Sequence, residues 1–100
     1  PEVARVAGGG ARSPLWRQII ADILGVPVEA APTTEGSALG AAILAMVGAG
    51  WYGTVTAACE AFVGQGEVTP VSPAHVVYSE QYQLYRELYP ALKRIYHRLG

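Results

Sequence analysis

Three glycines in a row, Gly8-Gly9-Gly10, followed by Ala11-Arg12-Ser13-Pro14, are the residues whose types and order point to chemistry. A glycine has no Cβ, so the backbone there turns sharply and lies flat against a ligand. The amides of such a turn, with the positive end of a following helix, attract phosphate oxygens. Ser13 adds a short hydroxyl suited to an adenine or ribose edge. A plain tight turn between strand and helix uses the same residues, so the run alone leaves both readings open. It also partly mimics the dinucleotide-binding fingerprint, with Glu29 near the place of the ribose-binding acid. Ser13 stands where that pattern needs its third glycine, and Pro14 follows.

Other chemically capable side chains lack partners in the sequence. Glu35 opens a helix, where a carboxylate is favoured by the dipole, and reads as a surface group rather than a catalytic base. Cys59 has no second cysteine for a disulfide and no metal-ligand spacing around it. It reads as a small buried hydrophobe in a reducing, cytoplasmic setting. His75 falls in a loop and His97 beside a basic cluster, neither with a ligand-spaced partner. The sequence thus nominates no catalytic and no metal-binding residue.

The glycine run needs a strand before it and a helix after it. Val3 to Ala7 has strand character. Ser13 is suited to cap a helix and Pro14 to occupy its first position. Leu15, Ile19, Ile20, Ile23 and Leu24 recur at helical spacing, and Gly25 stops the helix. Val26 to Ala30 reads as a second short strand. Thr33 or Thr34 caps a helix over about 35–47, built mostly of small residues that permit close packing beside the glycine turn. Thr54 to Val63 is a third helical segment, with Ala57, Ala58, Ala61 and Phe62 as core contacts. A loop over 64–73 holds one or two extended residues near Val68 and Val71. Ser79 caps a last helix whose tyrosines form an amphipathic stripe suited to packing, kinked or split at Pro90. The order is strand, loop, helix, strand, helix, then further C-terminal helices: an α/β pattern. Two strands make a thin sheet, which with the opening at Pro1 reads as part of a larger domain.

Composition sets the outer limits. The 100 residues are 51% hydrophobic and 15% charged, the balance of a folded chain rather than a disordered one. Net charge is −1, too small to favour nucleic acid or an anionic membrane. The uncharged stretch from Gly36 to Ala58 is too rich in alanine and glycine to be one membrane span.

Taken together and in order, Gly8 to Gln18, then Ala21-Asp22-Ile23-Leu24-Gly25 and Val28, then Glu35 to Ala42, resemble the C-terminal domain of the FGGY carbohydrate kinases. The late Tyr82-x-x-Tyr85 and Leu88-Tyr89-Pro90-Ala91-Leu92 extend the likeness over almost the whole chain, nearest to the xylulose-phosphorylating branch. The resemblance implies a ribonuclease H-like, actin-type ATPase fold, with residues 1–100 forming the C-terminal part of the nucleotide-binding domain. It implies ATP and Mg²⁺ as cofactors and transfer of the γ-phosphoryl group to the 5-hydroxyl of D-xylulose. By that likeness Gly8, Gly9 and Gly10 pass beside the adenine nucleotide. Ser13 stands where related kinases often place an asparagine against adenine. The sugar and the base that deprotonates it belong to parts of the family outside this chain, so the chain alone is expected to be inactive. Glycerol, gluconate and ribulose are alternative substrates. A non-catalytic packing module, homodimeric through its exposed helices, is the reading from a different class.

Overall fold

The computed structural model describes all residues from Pro1 to Gly100. Strand β1 (Ala4–Val6) leads into a single 3₁₀ turn (Gly9–Arg12) and then helix α1 (Pro14–Leu24). Strand β2 (Val28–Ala30) follows, then helices α2 (Gly36–Gly48) and α3 (Val55–Phe62). Strand β3 (Val68–Thr69) and the long helix α4 (His75–Leu99) complete the chain.

The sheet is small and mixed, in the order β1-β2-β3. β1 and β2 run parallel, joined by the turn and α1, with Ala4 opposite Val28 and Val6 opposite Ala30. Parallel neighbours need such a crossover, and α1 supplies it. β3 returns antiparallel on the far side of β2, with Glu29 opposite Val68. The two-strand expectation is therefore corrected. β3 is only two residues long and falls on the extended residues expected near Val68; its pairing with β2 makes it a strand of the sheet.

The boundaries of α1 follow the local signals. Ser13 Oγ accepts the Trp16 amide at 3.2 Å, Pro14 takes the first helical position, and Gly25 ends the helix at φ 69°. A side chain there would be strained, and its Cβ would also meet the His75 ring. The buried face of α1 is not the apolar one expected. Arg17, Ala21 and Asp22 face inward, whereas Leu15, Ile23 and Leu24 stay exposed. Arg17 and Asp22 are buried because each is saturated with hydrogen-bond partners on the segment 67–72.

Three other expectations change. Neither threonine caps α2: Glu35 holds that position, with Thr33 Oγ1 accepting its amide at 3.1 Å. Nor does α2 approach the glycine turn closely. It packs chiefly on α3, and a Cβ built on Gly36 or Gly40 meets nothing within 4 Å. Helix α4 begins at His75, four residues before Ser79, and runs unbroken through Pro90. Its tyrosine stripe is exposed rather than packed, with Tyr85 69% accessible. Thr54 does cap α3, accepting the Ala57 amide at 3.1 Å. Of the residues expected to pack from α3, Ala58 is buried while Phe62 is 47% exposed and meets Tyr52 edge-on. Cys59 is half-buried and free. No helix is long and apolar enough to cross a membrane.

Candidate functional site: an open glycine turn

The turn after β1 is held from both sides of the chain. Gly8 precedes it at φ 89°, a conformation that L side chains rarely adopt. The Gly8 carbonyl accepts the Ala11 amide at 3.1 Å, and the Gly10 carbonyl accepts the Ser13 amide at 3.2 Å. The amides of Gly9 and Gly10 open the turn, and no loop carbonyl takes them. The first donors of any helical turn are left without internal acceptors.

Space above the turn is open. A Cβ placed on Gly8 or Gly9 would meet nothing within 4 Å. On Gly10 it would press on the Trp16 indole, 3.2 Å from Cδ1. Trp16 therefore flanks the turn and is itself 53% exposed. Gly9, Gly10 and Ser13 are exposed and Gly8 is half-buried, with the buried Ala11 between Gly10 and Ser13. Ser13 Oγ is engaged as an acceptor in the α1 cap, which leaves its hydroxyl proton free to donate.

A recess of about 460 Å³ lies beside the second half of the turn. It is lined by Ala11, Arg12 and Arg17, by residues 30–34, and by Gly66 with Glu67. The three glycines and Ser13 border this recess without lining it. Arg12 reaches across the recess and donates to Thr34 Oγ1 at 3.0 Å. That bond ties the turn to the segment leading into α2.

Two buried carboxylates are structural. Glu29 accepts from Arg5 Nη2 at 2.8 Å and from the Gly66 amide at 2.9 Å. The Gly66 amide and then the Arg5 guanidinium hold its carboxyl below the usual range, against the opposing effect of burial. It pairs in register with Arg5 mid-strand, so it is not free to hold a ribose. That removes the dinucleotide reading. Asp22 accepts from the Ser72 amide at 2.6 Å, the Ser72 hydroxyl at 2.7 Å and Gln18 at 3.1 Å. Burial pushes the Asp22 carboxyl up, but the Ser72 and Gln18 hydrogen bonds and the nearby His75 outweigh it and hold the group low.

His75 is not in a loop but opens α4. Its Nδ1 donates to the Asp22 carbonyl at 2.7 Å, which fixes the tautomer, and Nε2 faces the Ser79 hydroxyl at 3.4 Å. It staples α4 to α1. The sequence reading missed Arg17, which is 5% exposed and bonds to the glycine turn. A cation in the first turn of a helix ordinarily reads as a surface group, and no sequence signal marked this one. No group of three or more metal-ligating side chains forms in the chain.

Comparison with known proteins adds the family. Residues 3–49 match the FGGY family of carbohydrate kinases, C-terminal domain. A xylulose kinase from Staphylococcus epidermidis is 39% identical over 89 residues, 88% of this chain and 18% of that protein. An autoinducer-2 kinase from an Enterobacter species is 39% identical over 84 residues, 83% of this chain and 16% of the relative. Two solved structures from Lactobacillus acidophilus, a ligand-bound xylulose kinase and a gluconate kinase, superpose on the whole chain. Each has a TM-score of 0.85 and 25% identity, over 20% of the larger chain. This chain therefore spans less than a fifth of the length of the curated relatives it matches. The glycine turn, the crossover helix and α2 all fall inside the matched segment, and the chain belongs to the FGGY family of carbohydrate kinases through their C-terminal domain.

Proposed function

We propose that residues 1–100 form the ATP-side portion of a sugar kinase, the C-terminal part of a ribonuclease H-like, actin-type nucleotide-binding domain. The observation that carries this reading is the open backbone at Gly8 and Gly9, where an added Cβ would meet only solvent. An adenine nucleotide rests against that backbone. The Gly9 and Gly10 amides point their donors at phosphate oxygens, and the Ser13 hydroxyl serves the adenine or ribose side. ATP supplies the phosphoryl group. Mg²⁺ would enter with the nucleotide and neutralise charge on its phosphates.

Phosphoryl transfer depends on positioning and charge neutralisation around an in-line geometry. This chain supplies one wall of that arrangement. The sugar and its general base lie on other parts of a complete kinase, so the 100 residues alone do not phosphorylate sugar. D-Xylulose, giving D-xylulose 5-phosphate, is the favoured substrate, since xylulose kinases stand among both the curated relatives and the solved structures. An autoinducer-2 kinase and a gluconate kinase match over similar lengths of the same chain, so the choice of acceptor is made elsewhere. One unpaired cysteine suits the reducing cytoplasm.

Titration with ATP, read by tryptophan fluorescence, tests the site. Trp16 adjoins Gly10 and should report saturable binding that Gly9→Val abolishes. Equal affinity in the two proteins would sink the assignment.

A further inference from the structure

Arg17 occupies an unfavourable place. It lies in the first turn of α1, where the helix dipole opposes a cation, and it is 5% exposed. A charge buried there must be fully satisfied, and it is. Nη1 donates to the Ala11 carbonyl at 2.6 Å, Nη2 to Glu67 at 3.0 Å, and Nε faces Thr69 Oγ1 at 3.4 Å. One planar guanidinium thus joins three elements: the 3₁₀ turn, the segment before β3, and β3 itself. The Ala11 carbonyl belongs to the same short turn as Gly9 and Gly10. Peptide planarity means that fixing this carbonyl fixes the plane shared by Ala11 and Arg12. That plane closes the turn in which the glycine amides lie.

We propose that Arg17 is a positioning residue for nucleotide binding: by holding the Ala11 carbonyl against the Glu67 side of the sheet, it sets the glycine turn in its binding shape. This rests on the reading of that turn as the nucleotide site. Each of its three nitrogens is engaged within the chain, and its proposed role is exerted through the Ala11 carbonyl rather than through a contact with the nucleotide. Lysine would keep the charge and lose the fork. Glu67→Gln removes the counter-charge of Arg17 and keeps an exposed side-chain oxygen that can still accept from Nη2.

The test compares wild type, Arg17→Lys, Arg17→Met and Glu67→Gln at a temperature where circular dichroism shows each folded. ADP affinity is read from tryptophan fluorescence in a Trp51→Phe background, which isolates Trp16, and amide hydrogen exchange of residues 9–13 is read without nucleotide. Both Arg17 variants should bind ADP roughly tenfold more weakly, the equivalent of one charge-assisted hydrogen bond. Their exchange should rise at residues 9–13 and not across α1 and the sheet. Glu67→Gln should show a smaller loss in the same direction. Unchanged affinity in folded Arg17→Lys and Arg17→Met, or exchange raised evenly over the whole chain, overturns the proposal and leaves Arg17 a plain structural residue. Should the wild type bind no ADP, the nucleotide reading fails separately. The exchange pattern then decides whether Arg17 shapes the turn.

Discussion

Gly9 has no positive φ, and no atom of the chain lies within reach of a Cβ there. Nothing in the packing of these 100 residues requires glycine at that place. Gly9→Val should therefore leave stability within about 0.5 kcal/mol of wild type, as thermal denaturation will show, while it removes nucleotide binding. Gly66 is the opposite case. Its Cβ would collide with the Ala30 carbonyl, and its amide holds Glu29. Gly66→Ala should cost at least about 3 kcal/mol, beyond the ordinary range for a point change, measured by denaturant titration. Ser13 carries a third kind of demand. Loss of its cap in Ser13→Ala should destabilise by about 1 kcal/mol, whereas Ser13→Asn, which also caps, should not. The sequence marked the glycine run because three consecutive glycines are locally conspicuous. It did not mark Gly66, because a close approach to Ala30 is made by residues far apart in the chain.

The joint between α1, the loop before α4 and α4 itself turns on Asp22. Its folded carboxyl is held below the ordinary aspartate value of 3.8, so its contribution to stability is present above that value. It is lost as pH falls through the lower, folded value. Glu29, also held low, acts in the same direction on the sheet. Acid should thus loosen the α1–α4 joint, and Asp22→Asn should reduce stability at neutral pH while flattening the acid limb, followed by circular dichroism against pH. Elements with local punctuation were legible in the sequence: Ser13 and Pro14 start α1, Gly25 stops it, and Thr54 starts α3. The beginning of α4 was not. His75 is placed by its bond to the Asp22 carbonyl, a tertiary contact, so the nearer capping residue Ser79 misdirected the reading. Arg17 and Asp22 escaped as buried residues for the same reason, since their partners lie on the segment 67–72. At Pro90 the helix continues without its usual backbone bond. Pro90→Ala should raise helicity and stabilise α4 by up to about 3 kcal/mol.

The molecule as a whole is extended. Its radius of gyration is 19.2 Å, against about 13 Å for a compact chain of this length. Only 8 of 100 residues are buried, while Trp51, Leu44, Leu99, Tyr82, Tyr85, Tyr89 and Tyr96 stand exposed. Apolar area of that extent promotes association. Sedimentation should show concentration-dependent self-association of the isolated 100 residues, and a phosphorylation assay should show no turnover of D-xylulose. Sugar phosphate formed by the pure chain would contradict the division of labour proposed here. Nucleotide binding rests on the glycine turn. Backbone amide shifts followed by NMR during an ADP titration examine it directly. The largest saturable changes should fall on Gly8, Gly9, Gly10 and the Trp16 indole. Shifts confined to other segments, or none in the turn at saturating ADP, would contradict the account.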